Sequence, residues 1–104
     1  MEELLMGADG WVGGLVTAFP RETVAVFRLV KAGMLEEALA IYRWFLPLLE
    51  LDIHPKLVQY IKLAEQEVGI GSEIVRAPRL TLAGAERDQV LSVIRHGIKT
   101  RPKL

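Results

Sequence analysis

Cysteine is absent from the 104 residues, and with it go disulfides, thiolate nucleophiles and zinc sites built on sulfur. That absence is compatible with the cytoplasm, where the chain is expected to reside. Neither charge sign is in excess: 13 basic and 13 acidic residues cancel, so no net field favours nucleic acid or an anionic membrane. Long apolar runs are also missing. The opening residues MEELLMGADG carry acids and one short apolar stretch, which fits neither a signal peptide nor a membrane span of about 20 apolar residues. Aromatic residues make up only 7% of the chain. Trp11, Tyr42, Trp44 and Tyr60 stand without interleaved basic clusters, so they suit core or interface positions better than base stacking. The glycines at 7, 10, 13 and 14 do not make GxGxxG and precede no Lys-Ser/Thr, which argues against a phosphate loop.

What is plentiful is apolar side chain. Hydrophobic residues reach 51% and the mean hydropathy is +0.27, high for a domain with so large a surface-to-volume ratio. Either some apolar surface faces a partner, with a homo-oligomer the expected assembly, or the helices are simply Leu/Ile/Val-rich and well packed. Pro20 at a first turn, Glu22 after it and Val24, Phe27, Leu29 and Val30 before Gly33 predict a helix over about 20–32. A second helix starts at Leu35 and carries apolar residues through Leu49, with Pro47 expected to kink it near Trp44. A third is expected to be capped by Asp52, with Pro55 in its first turn and apolar residues from Leu57 to Val68 before Gly69. Residues 70–83 lack a helical stripe and contain Gly71 and Pro78, predicting an ordered connection packed down by its apolar side chains. From Gly84 a final helix carries Val90, Leu91, Val93, Ile94 and Ile98, with Arg95, His96 and Lys99 late, as the macrodipole prefers. The tail TRPKL is expected to fray. Glu2–Met6 could end a helix, and GADGWVGGLVTAF reads as turn chemistry around a short strand whose N–H and C=O groups must be paired by another chain, by a change into helix or by solvent.

The ordered series GADGWV, GLVTAFP, a helix, KAGMLEEALAIYRWFLPLL, HPKLVQYIKLAEQEVG and RAPRLTL resembles the last barrel unit and C-terminal helical domain of the dihydrodipicolinate synthase/N-acetylneuraminate lyase family. The resemblance covers nearly the whole chain. WVGGLVTAFPRET and LDIHPKLVQYIKLAEQEVG look closest to the branch that deaminates a hydroxylated pyrroline carboxylate. The resemblance implies a mainly α fold, a bundle of about four helices corresponding to the last βα unit and helical domain of a (β/α)8 barrel. Residues 1–19 would be the remnant of the barrel unit and 20–104 the helical domain. Family members are commonly tetramers that bind a 2-keto acid such as pyruvate as a Schiff base on a lysine of the sixth strand. A fifth-strand tyrosine moves protons, and a Thr-rich loop holds the carboxylate; no stretch here matches these three elements. One contact carries over. The apolar residue that the eighth strand sets beside the keto acid corresponds to Val12, a candidate substrate-binding residue. Gly13 stands where the family usually has serine, and Thr17 where asparagine is common.

Other residues offer little chemistry. A Schiff-base lysine needs a depressed pKa, whereas Lys31, Lys56, Lys62 and Lys99 fall on presumed polar faces or helix ends. His54 and His96 are isolated and suggest no metal site. Glu36 with Glu37, and Glu65 with Glu67, are spaced one or two apart and so do not share a helix face for acid/base work. No catalytic residue, metal or cofactor is therefore assigned. A barrel needs about 250 residues, so the chain is expected to be a truncated lyase, inactive alone and self-associating. The alternatives are a stand-alone helical interaction module and one half of a split lyase.

Overall fold

The computed structural model describes residues 1–104, and they contain helices and turns but no strand. The elements are α1 (Glu2–Leu5), α2 (Pro20–Lys31), α3 (Leu35–Leu49), α4 (Leu57–Glu67) and α5 (Gly84–Lys99), with 3-10 turns at Leu15–Ala18 and Glu50–Ile53. The four long helices form a bundle about 43 × 26 × 20 Å in extent.

Local chemistry explains most helix limits. Pro20 opens α2, where its missing N–H costs nothing. At the other end Gly33 takes φ +76°, which lets Met34 N–H donate to Leu29 O at 2.9 Å and Gly33 N–H to Val30 O at 3.0 Å. That pair of bonds is a Schellman cap, and the same pattern closes α4 around Gly69, where Ile70 N–H meets Glu65 O at 3.0 Å. α3 runs unbroken through Pro47. Arg43, whose carbonyl loses its donor there, lies on the exposed side, so water can replace the bond.

Packing divides into two clusters. The larger joins Leu15, Phe19, Phe45, Leu48, Leu63 and Ile94, among others, from every long helix except α2. Phe19 is wholly buried, with edge-on contacts to Trp44 at 5.6 Å and Phe45 at 5.8 Å. The smaller cluster sets Leu4 against Val26, Val30, Ala38 and Ile41. Val24, expected on the apolar face of α2, is exposed, and Val26 is the valine that goes inside.

Several expectations need correction. The GADGWVGGLV segment is not a strand: residues 7–14 are irregular and Leu15–Ala18 form a 3-10 turn. With no neighbouring strand to pair it, an extended conformation gains no ladder bonds, while burial of Leu15 and Ala18 favours the tight turn. Asp52 does not cap α4, which starts five residues later without a side-chain cap; Pro55 lies in the turn before it. The 70–83 connection is held down by Leu82, but Ile70, Ile74 and Leu80 are exposed. Polar links fix it instead. Glu73 N–H donates to Gln66 Oε1 at 3.0 Å, and the Arg87 guanidinium reaches both Glu73 oxygens at 3.2 Å.

Nor does the tail simply fray. Arg101 donates through Nε and Nη2 to the two oxygens of Glu22 at 2.5 and 3.1 Å, and its guanidinium lies 5.4 Å from the Phe19 ring centre. Glu22 is only 2% exposed, so this fork supplies the partner that a buried carboxylate requires.

Candidate functional site

Val12, the one residue the sequence suggests for substrate contact, sits in a segment clamped at both ends and free in the middle. At its start, Ala8 N–H donates to Glu3 O at 2.9 Å and Lys31 Nζ donates to Ala8 O at 2.7 Å. At its end, the Leu15 N–H is shared by both Asp52 carboxylate oxygens at 2.9 Å each. The Thr17 hydroxyl lies 3.0 Å from both Gly14 O and Glu65 Oε1 and shares its proton between them. Gly14 is glycine for space: a Cβ there would come within 2.8 Å of Asp52 Oδ1 and Ile61 Cδ1.

Between those anchors, no backbone N–H or carbonyl from Asp9 to Gly13 has a partner within the chain. Val12 is completely exposed and Trp11 is partly so, its ring 6.3 Å from that of Phe27. Trp11 and Gly13 border a cavity of about 220 Å³ that is also lined by Glu2, Thr23, Tyr42 and Asp52. Val12 does not line it. In the cavity wall the Tyr42 hydroxyl donates to Glu2 at 2.9 and 3.1 Å. Burial and the Glu2 carboxylate raise the Tyr42 pKa above its ordinary value.

A second polar cluster, not visible in the sequence, joins the start of α4 to the first turn of α5. The Tyr60 hydroxyl donates to Glu86 Oε1 at 2.9 Å, and Lys56 Nζ reaches Glu86 Oε2 at 2.6 Å. His54 stacks on Tyr60 with ring centres 4.8 Å apart. Its Nδ1 accepts the Lys56 N–H at 3.0 Å, which leaves the ring proton on Nε2, 3.5 Å from the Tyr60 oxygen. Burial, then Glu86, push the Tyr60 pKa up, and Lys56 and Tyr60 together hold the Glu86 carboxyl below its ordinary value.

The cluster contains a lysine, a tyrosine and a carboxylate, yet its chemistry is that of a clasp. The Lys56 ammonium is engaged in an ion pair with Glu86, and an ammonium has no lone pair to attack a carbonyl carbon. Lys31, Lys62 and Lys99 do not offer a desolvated amine either: none is buried, and Lys31 is the tether to Ala8. Of the glutamate pairs, Glu65 turns to Thr17 while Glu67 takes Arg95 at 2.8 Å. Glu36 and Glu37 are exposed. The two histidines lie at different seams, and no three imidazole or carboxylate groups converge. No helix is long and apolar enough to cross a membrane.

Fold and clusters together define a helical domain that presents a glycine-rich segment on one face. The chain belongs to the dihydrodipicolinate synthetase family, whose model matches residues 1–97. Neither the curated proteins nor the solved structures gave a match.

Proposed function

We propose that this chain serves as the C-terminal helical portion of a Schiff-base lyase or synthase acting on 2-keto acids, and that it is catalytically silent by itself. The observation that carries this reading is the unpaired backbone from Asp9 to Gly13 between firm anchors. A row of free N–H and C=O groups beside exposed Trp11 and Val12 is suited to join a sheet. Residues 1–19 would then be the last βα unit and 20–104 the helical domain. Once in the sheet, Val12 would meet the keto acid, while the nucleophilic lysine and proton-moving tyrosine would come from barrel strands on the same polypeptide or on another. That last case is the split-lyase arrangement, which the same free segment favours.

Until those strands are present, the exposed Met6, Trp11 and Val12 would drive self-association of a protein we place in the cytoplasm. Within the family, WVGGLVTAFPRET and LDIHPKLVQYIKLAEQEVG favour deamination of a hydroxylated pyrroline carboxylate. Trapping with pyruvate and borohydride tests the central claim. The chain alone should gain no mass, and a complex with barrel strands should carry the label on the barrel lysine. Stoichiometric labelling of the isolated chain would sink the proposal.

A further inference from the structure

The two sides of α5 differ in charge. Toward α4 the basic groups are answered: Arg95 donates to Glu67 at 2.8 Å and Lys56 to Glu86 at 2.6 Å. Toward α3 they are not. A groove of about 440 Å³ runs along that seam, lined by Arg43, Trp44 and Pro47 from α3 and by Ser92, His96 and Thr100 from α5 and its end. No aspartate or glutamate lines it. Arg43 and His96 border the same space, and neither side chain forms an ion pair or hydrogen bond.

We propose that this groove binds a small organic carboxylate, at a site separate from the segment that carries Val12. Arg43 is the anchoring residue, because its planar fork matches the two oxygens of a carboxylate. His96 and the Ser92 hydroxyl supply further donors from the opposite wall, and the indole of Trp44 with Pro47 gives the ligand's carbon body an apolar surface. An anion there would also answer the Arg43 guanidinium, which forms no ion pair in the chain.

The carbonyls at the end of α5 would ordinarily oppose an anion. Here two of them are occupied by donors other than the groove's ligand. Trp44 Nε1–H donates to Gly97 O at 3.0 Å, and the Thr100 N–H and hydroxyl both donate to His96 O, at 3.0 and 2.8 Å. These bonds offset part of the carbonyl charge, and the Arg43 guanidinium supplies the formal charge among the residues that line the groove.

Titration of the ¹⁵N-labelled chain with benzoate, followed by NMR, tests the assignment. The Trp44 indole N–H and the amides of Arg43, Ser92 and Thr100 should shift saturably with a Kd on the order of 1 mM. The Trp11 indole, which does not line the groove, should stay fixed. R43Q should weaken binding about tenfold, and H96Q should weaken it by a smaller factor. Both side chains are exposed, so both variants should melt as the parent does. Absence of saturation up to tens of millimolar, where a weak single site would already be filled, overturns the proposal. So does an R43Q titration identical to the parent's, or an equal response at Trp11. Inorganic phosphate producing the same shifts with the same affinity would overturn the carboxylate assignment, since the apolar wall would then contribute nothing.

Discussion

Across the bundle no buried side-chain nitrogen or oxygen lacks a partner, whereas from Asp9 to Gly13 the backbone donors and acceptors have none within the chain. The body from α2 to α5 closes its own hydrogen bonds because helices satisfy their backbones locally and need neighbours only for their apolar faces. The irregular stretch at residues 9–13 has no such local pattern, so its backbone groups need water or another chain. The contrast explains how one chain can hold a well-packed core and still present an unfinished edge. The anchors at Ala8, Leu15 and Thr17 hold the two ends of that open stretch.

The comparison can be broken most forcefully at its hinge. Phe19 lies between the segment and the body and is fully buried against Trp44 and Phe45. Phe19→Ala should cost about 3–5 kcal/mol of unfolding free energy, read from a urea midpoint; a loss under about 1 kcal/mol would show that the segment is not part of the core.

Glu22→Gln comes next, at about 1.5–3 kcal/mol, the usual range for a hydrogen bond to a charged group. Burial pushes the Glu22 carboxyl up, but the Arg101 fork outweighs it and holds the pKa below the ordinary value. A depressed folded-state pKa makes the pair stabilising above the unfolded value of about 4.3, and that contribution disappears as pH falls through the folded value. Stability measured between about pH 5 and pH 2 should therefore decline less in Glu22→Gln than in the parent. Parallel declines would remove the pair from the account.

Asp52→Ala is a milder change, worth about 1 kcal/mol by analogy with other lost side-chain caps. Its more telling effect is local: the Leu15 amide should exchange with solvent faster while amides inside α4 and α5 keep their protection. The smallest thermodynamic effect is expected at Val12. Val12→Asp should change stability by less than about 0.5 kcal/mol, as for other exposed sites, yet it should reduce the mass seen by light scattering at high concentration. A clean monomer for the parent at every concentration would contradict the proposed self-association instead.

Much of this contrast could be anticipated from local patterns. Pro20 before an apolar repeat marked the start of α2, Leu35 the start of α3, Gly33 and Gly69 the ends of α2 and α4, and Gly84 the opening of α5. The family was legible in the order of its short motifs, which the match over residues 1–97 bears out. Asp52 shows the limit of such reasoning. Its position just before an apolar repeat fits a helix cap, yet its carboxylate reaches Leu15, 37 residues earlier. The clasp of His54, Lys56, Tyr60 and Glu86 was equally hidden, because Glu86 lies 30 residues beyond Lys56 and 26 beyond Tyr60. The anionic counterpart missing from the Arg43 and His96 groove becomes apparent only when α3 and α5 are set side by side.

The sequence by itself determined most helix limits, the start of α4 excepted, and which family the chain resembles, because caps, turn residues and apolar spacing act over a few neighbours. Tertiary structure alone decided that Arg101 pins the tail to Glu22, 79 residues away. It also decided that Asp52 holds Leu15 and that residues 9–13 remain unpaired. Such outcomes depend on which distant groups folding brings within hydrogen-bond reach, and a carboxylate or an open backbone accepts whichever donor arrives there.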